Sequence, residues 1–183
     1  GLADHLSGKL KQALAYYQEA MRLLKDSGDL YQLGLVRWDS GRVLQESGHL
    51  EQAMSQFEQA LVVLREAQAH RATALVEASL STSQAEDGQL GSSSLSFKRA
   101  ATVLKQPSDP IGTTLCQLYE AQLQLAQAGR VGPNKGPALR AKAMDTYRSM
   151  RESGVKSARA NGRPVEVRLL LRLLRRRIKQ ASG

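Results

Sequence analysis

A block of residues recurs three times along this chain at a constant spacing of 40 residues, with no insertion between the copies. Each block contains a glycine, a small residue, an aromatic residue, an alanine and a leucine at fixed distances. These columns are Gly8, Gly48 and Gly88; Ala13, Ala53 and Ser93; Tyr17, Phe57 and Phe97; Ala20, Ala60 and Ala100; and Leu24, Leu64 and Leu104. A repeat of this length is typical of solenoids of helix pairs. The period therefore restricts the fold more than any single residue does.

The spacing inside a block is that of an α-helix. Ala13, Tyr17, Ala20 and Leu24 follow one another at i, i+4, i+7 and i+11, which places them on one helical stripe. The small residues allow a neighbouring helix to approach closely, and the aromatic residue fills the space between repeats. The glycine five residues upstream suits a left-handed helix cap, because it has no Cβ to oppose positive φ. The pattern predicts a unit of helix, glycine turn and helix.

These columns resemble the tetratricopeptide repeat family, in which the second helix of each pair carries a small residue, an aromatic residue and an alanine at this spacing. The period of 40 residues is longer than the usual ~34, and it is similar to the long-helix variants found in adaptor proteins of cell polarity and signalling. The resemblance implies an all-α fold, an antiparallel helix-pair solenoid with a right-handed superhelix. It also implies a concave face, lined by the first helices, that binds protein partners.

The expected organisation has three parts. Residues 1–153 form the repeats, about three and a half of them. We expect the first repeat to be truncated, with a helix remnant from Leu2 to Leu6 that ends at Gly8, so that the chain begins inside a larger array. Residues 154–163 are predicted to form a basic linker. An amphipathic helix at 164–180, begun by Pro164, then caps the array.

The fourth repeat is longer than the others. Its helices are predicted at Thr113–Ala128 and Ala138–Ser153, with Ala143 and Tyr147 on the stripe. The extra residues between these helices are rich in glycine and proline, which indicates an exposed loop.

The charge of the chain is concentrated at its end. The whole sequence carries +9, whereas residues 139–183 hold thirteen Lys and Arg against three Asp and Glu, a net +10. In the helix at 164–180 the apolar residues are Val167, Leu170, Leu171, Leu174 and Ile178, and the basic residues are Arg168, Arg172, Arg175, Arg176, Arg177 and Lys179. Two interpretations stay open: a capping helix with a solvated basic face, or a binding element for nucleic acid phosphates or an anionic membrane.

Composition restricts the fold class and the cellular compartment expected for the protein. Aromatic residues are only 4% of the sequence, and Ala, Leu, Gln, Glu, Arg and Lys are abundant, which favours helices. No apolar run approaches the ~20 residues of a membrane span. Cys116 is the only cysteine, so an internal disulfide is excluded and a reducing compartment, cytoplasmic or nuclear, is indicated. We expect Cys116 to be a buried, unreactive side chain.

No pattern in the sequence indicates catalysis, a metal or a cofactor. His5, His49 and His70 are far apart and lack the spacing of metal ligands. The segment from Gly132 to Gly136 is not followed by the Lys-Ser/Thr pair of a phosphate-binding loop, and no strand is predicted before it. The sequence therefore predicts a non-catalytic adaptor that binds a partner peptide or helix.

The candidate partner-binding residues lie on the first helices of the pairs. They are Leu35, Trp38, Arg42, Gln45, Thr82 and Tyr119. Trp, Tyr and Arg concentrate binding energy at interfaces, so we expect Trp38, Arg42 and Tyr119 to contribute most. For Trp38 a position in the core between repeats is an equally good interpretation.

The residue types on these helices argue against one known mode of binding. Relatives that hold chaperone C-termini use Lys, Asn and Arg on the first helices to bind a terminal carboxylate. The matching positions here carry Trp38 and Arg42, Ala78 and Thr82, and Tyr119 and Leu123. We therefore expect a different ligand, whose identity the sequence leaves open.

Overall fold

The computed structural model describes the backbone of residues 2–130, 132 and 134–160, and the side chains between residues 9 and 149 except 110, 131 and 133. All regular secondary structure in this part of the chain is α-helical, which confirms the all-α prediction. Its helices are α1 (Leu2–Ser27), α2 (Leu30–Glu46), α3 (Leu50–Glu66), α4 (His70–Asp87), α5 (Leu90–Leu104), α6 (Pro110–Ala128) and α7 (Gly136–Ala160). None of these described helices has both the length and the apolar content that crossing a membrane requires.

Local sequence signals begin and end several of these helices. Asp29 caps α2, because its carboxylate accepts a hydrogen bond from the Gln32 amide at 3.0 Å. Asp109 caps α6 in the same way, and Pro110 occupies the first turn. Gly48 and Gly88 have φ values of 81° and 95°, the left-handed conformation predicted for the repeat glycines.

Glycines allow α2 and α3 to pack closely. A Cβ at Gly34 would lie 2.4 Å from Leu64 Cγ, and one at Gly41 would lie 2.6 Å from Phe57 Cε1. Because residue 34 faces 64 and residue 41 faces 57, the two helices run antiparallel. The large side chains of α3 thus fill space that the small residues of α2 leave open, which is close packing in the sense of a protein interior.

The repeat columns form much of the core. Ala53, Phe57, Ala60 and Leu64 are fully buried on α3, and the fourth repeat buries Ala143 and Tyr147 on α7 in the same way. On α5, Ser93, Ala100 and Leu104 are buried and Phe97 packs against the core while half-buried. On α1, Ala13, Tyr17, Ala20 and Leu24 are only half-buried. The predicted stripes are therefore confirmed, with the least cover on α1.

Helix α4 lies at the centre of the described structure. It packs against α3 and α5, its neighbours in sequence, and also against α2 and α6. Its Glu77 side chain is buried, and Oε1 accepts hydrogen bonds from Arg65 Nη2 of α3 at 2.8 Å and from Arg99 Nε of α5 at 3.0 Å. One carboxylate therefore links three helices, and its charge is compensated by two guanidinium groups.

The expected break at Gly8 is wrong. Helix α1 is continuous from Leu2 to Ser27, and Gly8 lies within it, instead of ending a short helix at Leu2–Leu6. A glycine inside a helix costs only ~1 kcal/mol relative to alanine. The good helix formers around it, Leu6, Lys9 and Leu10, offset that cost.

The predicted linker at 154–163 also needs correction. Helix α7 continues through Gly154 and the basic residues Lys156 and Arg159 as far as Ala160. Lys, Arg and Ala are good helix formers, so they outweigh the single glycine. Residues 161–163 and the helix predicted at 164–180 lie outside the described part of the chain.

Substitution of two glycines tests the close packing of α2 and α3. Gly41→Ala should destabilise the fold by ~1–3 kcal/mol, because the new methyl group overlaps the Phe57 ring. Gly91→Ala on α5 is the matched control, since a Cβ there meets nothing within 4 Å, and it should stabilise the helix by up to ~1 kcal/mol. Chemical denaturation measures both. Equal effects of the two substitutions would contradict the packing described.

Candidate interaction surface

A serine on the central helix connects the first helices of three pairs. Trp38 Nε1 on α2 donates a hydrogen bond to Ser79 Oγ on α4 at 2.8 Å, and the Tyr119 hydroxyl on α6 lies 3.1 Å from the same oxygen. Ser79 Oγ donates its own hydrogen to the Leu75 carbonyl at 3.1 Å, so Tyr119 is the donor to Ser79. We call Trp38, Ser79 and Tyr119 the hydroxyl bridge.

Arg42 lies at the edge of this bridge. Its guanidinium carbon is 5.5 Å from the centre of the Trp38 ring, a cation–π arrangement. Its Nη1 donates to Asp39 Oδ1 at 3.3 Å, and among the described residues this is its one side-chain hydrogen bond. The side chain is only 15% exposed. The guanidinium of Arg42 is thus held between the Trp38 ring and the Asp39 carboxylate.

One turn further along α2, a second set of polar contacts joins α2 to α4. Gln45 Nε2 donates to Thr82 Oγ1 at 3.0 Å and lies 3.5 Å from Glu86 Oε2. Arg130, which follows α6, donates to the backbone carbonyl of Glu86 at the end of α4. The first-helix face, which we define as the side of α2, α4 and α6 that carries Trp38, Gln45, Thr82 and Tyr119, is therefore ordered by side-chain hydrogen bonds along its length.

The structure brings together five of the six residues that were predicted to bind a partner. Trp38 is 8% exposed, Thr82 1% and Tyr119 2%, so these three side chains support the face from within. Arg42 and Gln45 are half-buried at the surface, and Leu35 is half-buried against the core. Of the two interpretations of Trp38, the buried position between repeats is the observed one. A role of these residues in binding stays a prediction.

Ser79 is the residue that the sequence did not single out. Its signal was the repeat itself, since Ser79 follows Asp39 by 40 residues. The period places these two positions at the same point on successive first helices. It does not reveal that one hydroxyl would accept hydrogen bonds from both neighbours.

Two carboxylates take part in the polar contacts of this face. Asp39 accepts a hydrogen bond from Arg42 at 3.3 Å, and Glu86 Oε2 lies 3.5 Å from Gln45 Nε2. The positive charge of Arg42 therefore has an exposed acidic group beside it.

The remaining candidate groups do not form a chemical site in the described residues. No group of three or more His, Cys, Asp and Glu side chains there is placed to bind a metal ion. His49 and His70 are exposed at the starts of helices. Cys116 is buried, as predicted, and burial raises the pKa of its thiol. The predicted basic residues Arg168, Arg172, Arg175, Arg176, Arg177 and Lys179 lie outside the described part of the chain.

Comparison of the chain with protein-family models, with characterised proteins and with solved structures finds no match.

The buried hydroxyl of Tyr119 should make stability depend on alkaline pH. Burial raises the pKa of Tyr119 in the folded state, and the charge of Arg42 lowers it only in part. The native state then keeps a proton that the unfolded state loses above about pH 10. The contribution of neutral Tyr119 to the free energy of unfolding is complete below that pH. It falls as the pH rises through the pKa of the folded state.

Tyr119→Phe should remove this part of the pH dependence, at a cost of ~1 kcal/mol at neutral pH for the lost hydrogen bond. Urea denaturation between neutral and strongly alkaline pH measures both effects. Tyr16→Phe, at a side chain that is 69% exposed, controls for the loss of a hydroxyl. An unchanged alkaline slope in Tyr119→Phe would contradict the assignment.

Proposed function

We propose that this chain is a non-catalytic adaptor domain whose helix pairs stack as a right-handed solenoid similar to tetratricopeptide repeats. Two contacts support this stacking. Trp38 and Gln45 of α2 meet Ser79 and Thr82 of α4 in the same order along both helices, so first helices lie side by side and parallel. Each first helix also packs against the second helix of its own pair. A C-terminal helix at 164–180 would close the open end of this stack.

The partner of this domain is a protein, bound as a peptide or a helix along the first-helix face. The observation that carries the proposal is Arg42, which is oriented by the Trp38 ring and by Asp39. A side chain that is already immobilised loses little entropy on binding, so its hydrogen bonds contribute more to affinity. Arginine beside a buried aromatic residue is also the composition found at the energetic centres of interfaces.

A reducing compartment, the cytoplasm or the nucleus, fits this role. The single cysteine of the chain, Cys116, is buried among apolar side chains and serves packing. The proposal includes no cofactor.

A second candidate function belongs to the basic end of the chain. Residues 139–183 carry a net charge of +10, whereas the preceding 138 residues carry −1. Such a segment attracts nucleic acid or an anionic membrane through contacts that weaken steeply with salt. Reversing the charge of Arg168, Arg172, Arg175 and Arg176 would abolish binding of this kind and leave the first-helix face intact.

Arg42→Ala should weaken partner binding at least ~10-fold, which corresponds to ~1.4 kcal/mol. Ligands would be selected from a random peptide display library with the purified domain, and fluorescence polarisation would measure their affinities. Arg22→Ala on α1 is the matched control, because Arg22 also pairs with an acidic residue three positions earlier but is exposed. It should leave affinity unchanged.

Two results would contradict the proposal. The first is equal binding by wild type and Arg42→Ala. The second is binding that disappears as salt is raised and that depends on the basic C-terminal residues, which would favour the second candidate.

A further inference from the structure

Helices α2 and α4 each have a helix packed on either side of them. In the described part of the chain α1 and α3 both pack against α2, and α3 and α5 both pack against α4, whereas neither α1 with α3 nor α3 with α5 is in contact. Each central helix therefore forms the floor of a groove between two walls. We call the groove between α1 and α3 the first groove, and the groove between α3 and α5 the second groove.

An ion-pair cluster closes the second groove. The Glu77 carboxylate on its floor is buried, and it accepts hydrogen bonds from Arg65 Nη2 of one wall at 2.8 Å and from Arg99 Nε of the other wall at 3.0 Å. Both arginine side chains are about half exposed. One anion between two cations thus joins the floor to both walls.

The first groove carries different residues at the equivalent positions of the repeat. Glu77 and its two arginines correspond, 40 residues earlier, to Arg37, Lys25 and Gln59. The floor therefore carries a cation instead of an anion, one wall carries a lysine, and the other wall carries a neutral carboxamide. None of these three positions provides a carboxylate.

Arg37 is held in this groove by neutral partners. Its Nη1 donates to Gln59 Oε1 at 2.6 Å and lies 3.4 Å from Gln56 Oε1, both on α3. Its Nε is buried and has no hydrogen-bond acceptor in the described structure. Partial burial lowers the pKa of Arg37, because the charged guanidinium loses hydration.

No carboxylate of the described residues pairs with Arg37. On α1 the described acidic residues, Glu19 and Asp26, pair with Arg22 instead, and both acceptors of Arg37 are carboxamides. A half-buried cation without a counter-charge is costly. An anion that reached this guanidinium would remove part of that cost.

The second groove shows which anion fits. There the same arrangement of helices holds a side-chain carboxylate against cations from both walls. In the first groove Arg37 lies on the floor, and Lys25 is exposed on one wall. The groove therefore suits a carboxylate that approaches from outside the chain, and aspartate and glutamate side chains of proteins supply that group.

We propose that the first groove binds an aspartate or glutamate side chain of a protein partner, with Arg37 as the main contact and Lys25 as a second cation. Arg37 and Arg42 are five residues apart on α2, which separates them by ~140° around the helix. The site is therefore distinct from the first-helix face, and it goes beyond the adaptor function proposed above without depending on it. The bound carboxylate would make between two chains the contact that Glu77 makes within one.

Nuclear magnetic resonance of the full chain tests the site, because the Nε–H group of each arginine gives its own signal. The Arg37 signal is assigned by its absence in Arg37→Lys. A hexaglutamate peptide should shift this signal and saturate the change, whereas a neutral Gly-Ser peptide of equal length should not. Arg22, which is exposed and already pairs with two carboxylates, is the internal control and should shift less. Resolving single arginines also separates this site from the basic residues at 164–180.

A variant that supplies its own carboxylate tests the chemistry. Gln59→Glu places an anion at the oxygen position that Arg37 already contacts. It should shift the Arg37 signal without any peptide, raise the melting temperature, and weaken hexaglutamate binding at this signal ~10-fold or more. Gln12→Glu on α1 is the matched control, since this exposed glutamine contacts Tyr16 instead of an arginine. It should leave the signal and its titration unchanged.

Three results would overturn the proposal: an Arg37 signal that hexaglutamate leaves unmoved, one that responds equally in wild type and Gln59→Glu, or one that responds only to inorganic phosphate or an oligonucleotide. Arg42→Ala should leave the titration unchanged. Loss of the display-selected peptides in Arg42→Ala, with no response at Arg37, would support the adaptor function alone. The opposite pair of results would support only the site in the first groove.

Discussion

The buried side chains of three first helices meet at a single hydroxyl group. Ser79 Oγ accepts hydrogen bonds from an indole of α2 and a phenol of α6, and it donates to its own helix. All of these groups are buried, so each would be costly to leave unpaired. The three helices therefore lie at a separation at which the side chains of Trp38 and Tyr119 both reach Ser79. The position of Arg42 follows, because its guanidinium lies over the same Trp38 ring.

Much of the core was predictable because its signals are local. Phe57, Ala60 and Leu64 share one stripe of a helix, so spacing alone assigns them to the same buried face. The turn at Gly88 was predictable because it requires only that this residue adopt a positive φ, which glycine does readily. At Gly8, by contrast, the good helix formers around the glycine offset its cost, and the helix continues. A glycine column therefore indicates where a turn is permitted, and the surrounding residues decide whether it forms.

The candidate surface was harder to predict. The burial of Trp38 depends on its contact with Ser79 of α4, which lies 41 residues later in the sequence. No local pattern contains that information. The spacing assigned these residues to the first helices but could not separate the buried side chains from the accessible ones. Thr82 and Tyr119 are of the first kind, while Arg42 and Gln45 are of the second. That division follows from side-chain length and from the distance between helices.

The carboxylate of Glu77 has a consequence for how this chain unfolds. It receives one arginine from the pair before α4 and another from the pair that includes α4. If either neighbour separated, a largely buried anion would lose half of its compensation. In a linear array the energy of contacts between units, relative to the stability of each unit, determines cooperativity. Glu77 strengthens those contacts at the centre, and it therefore favours a single concerted transition over gradual fraying from one end.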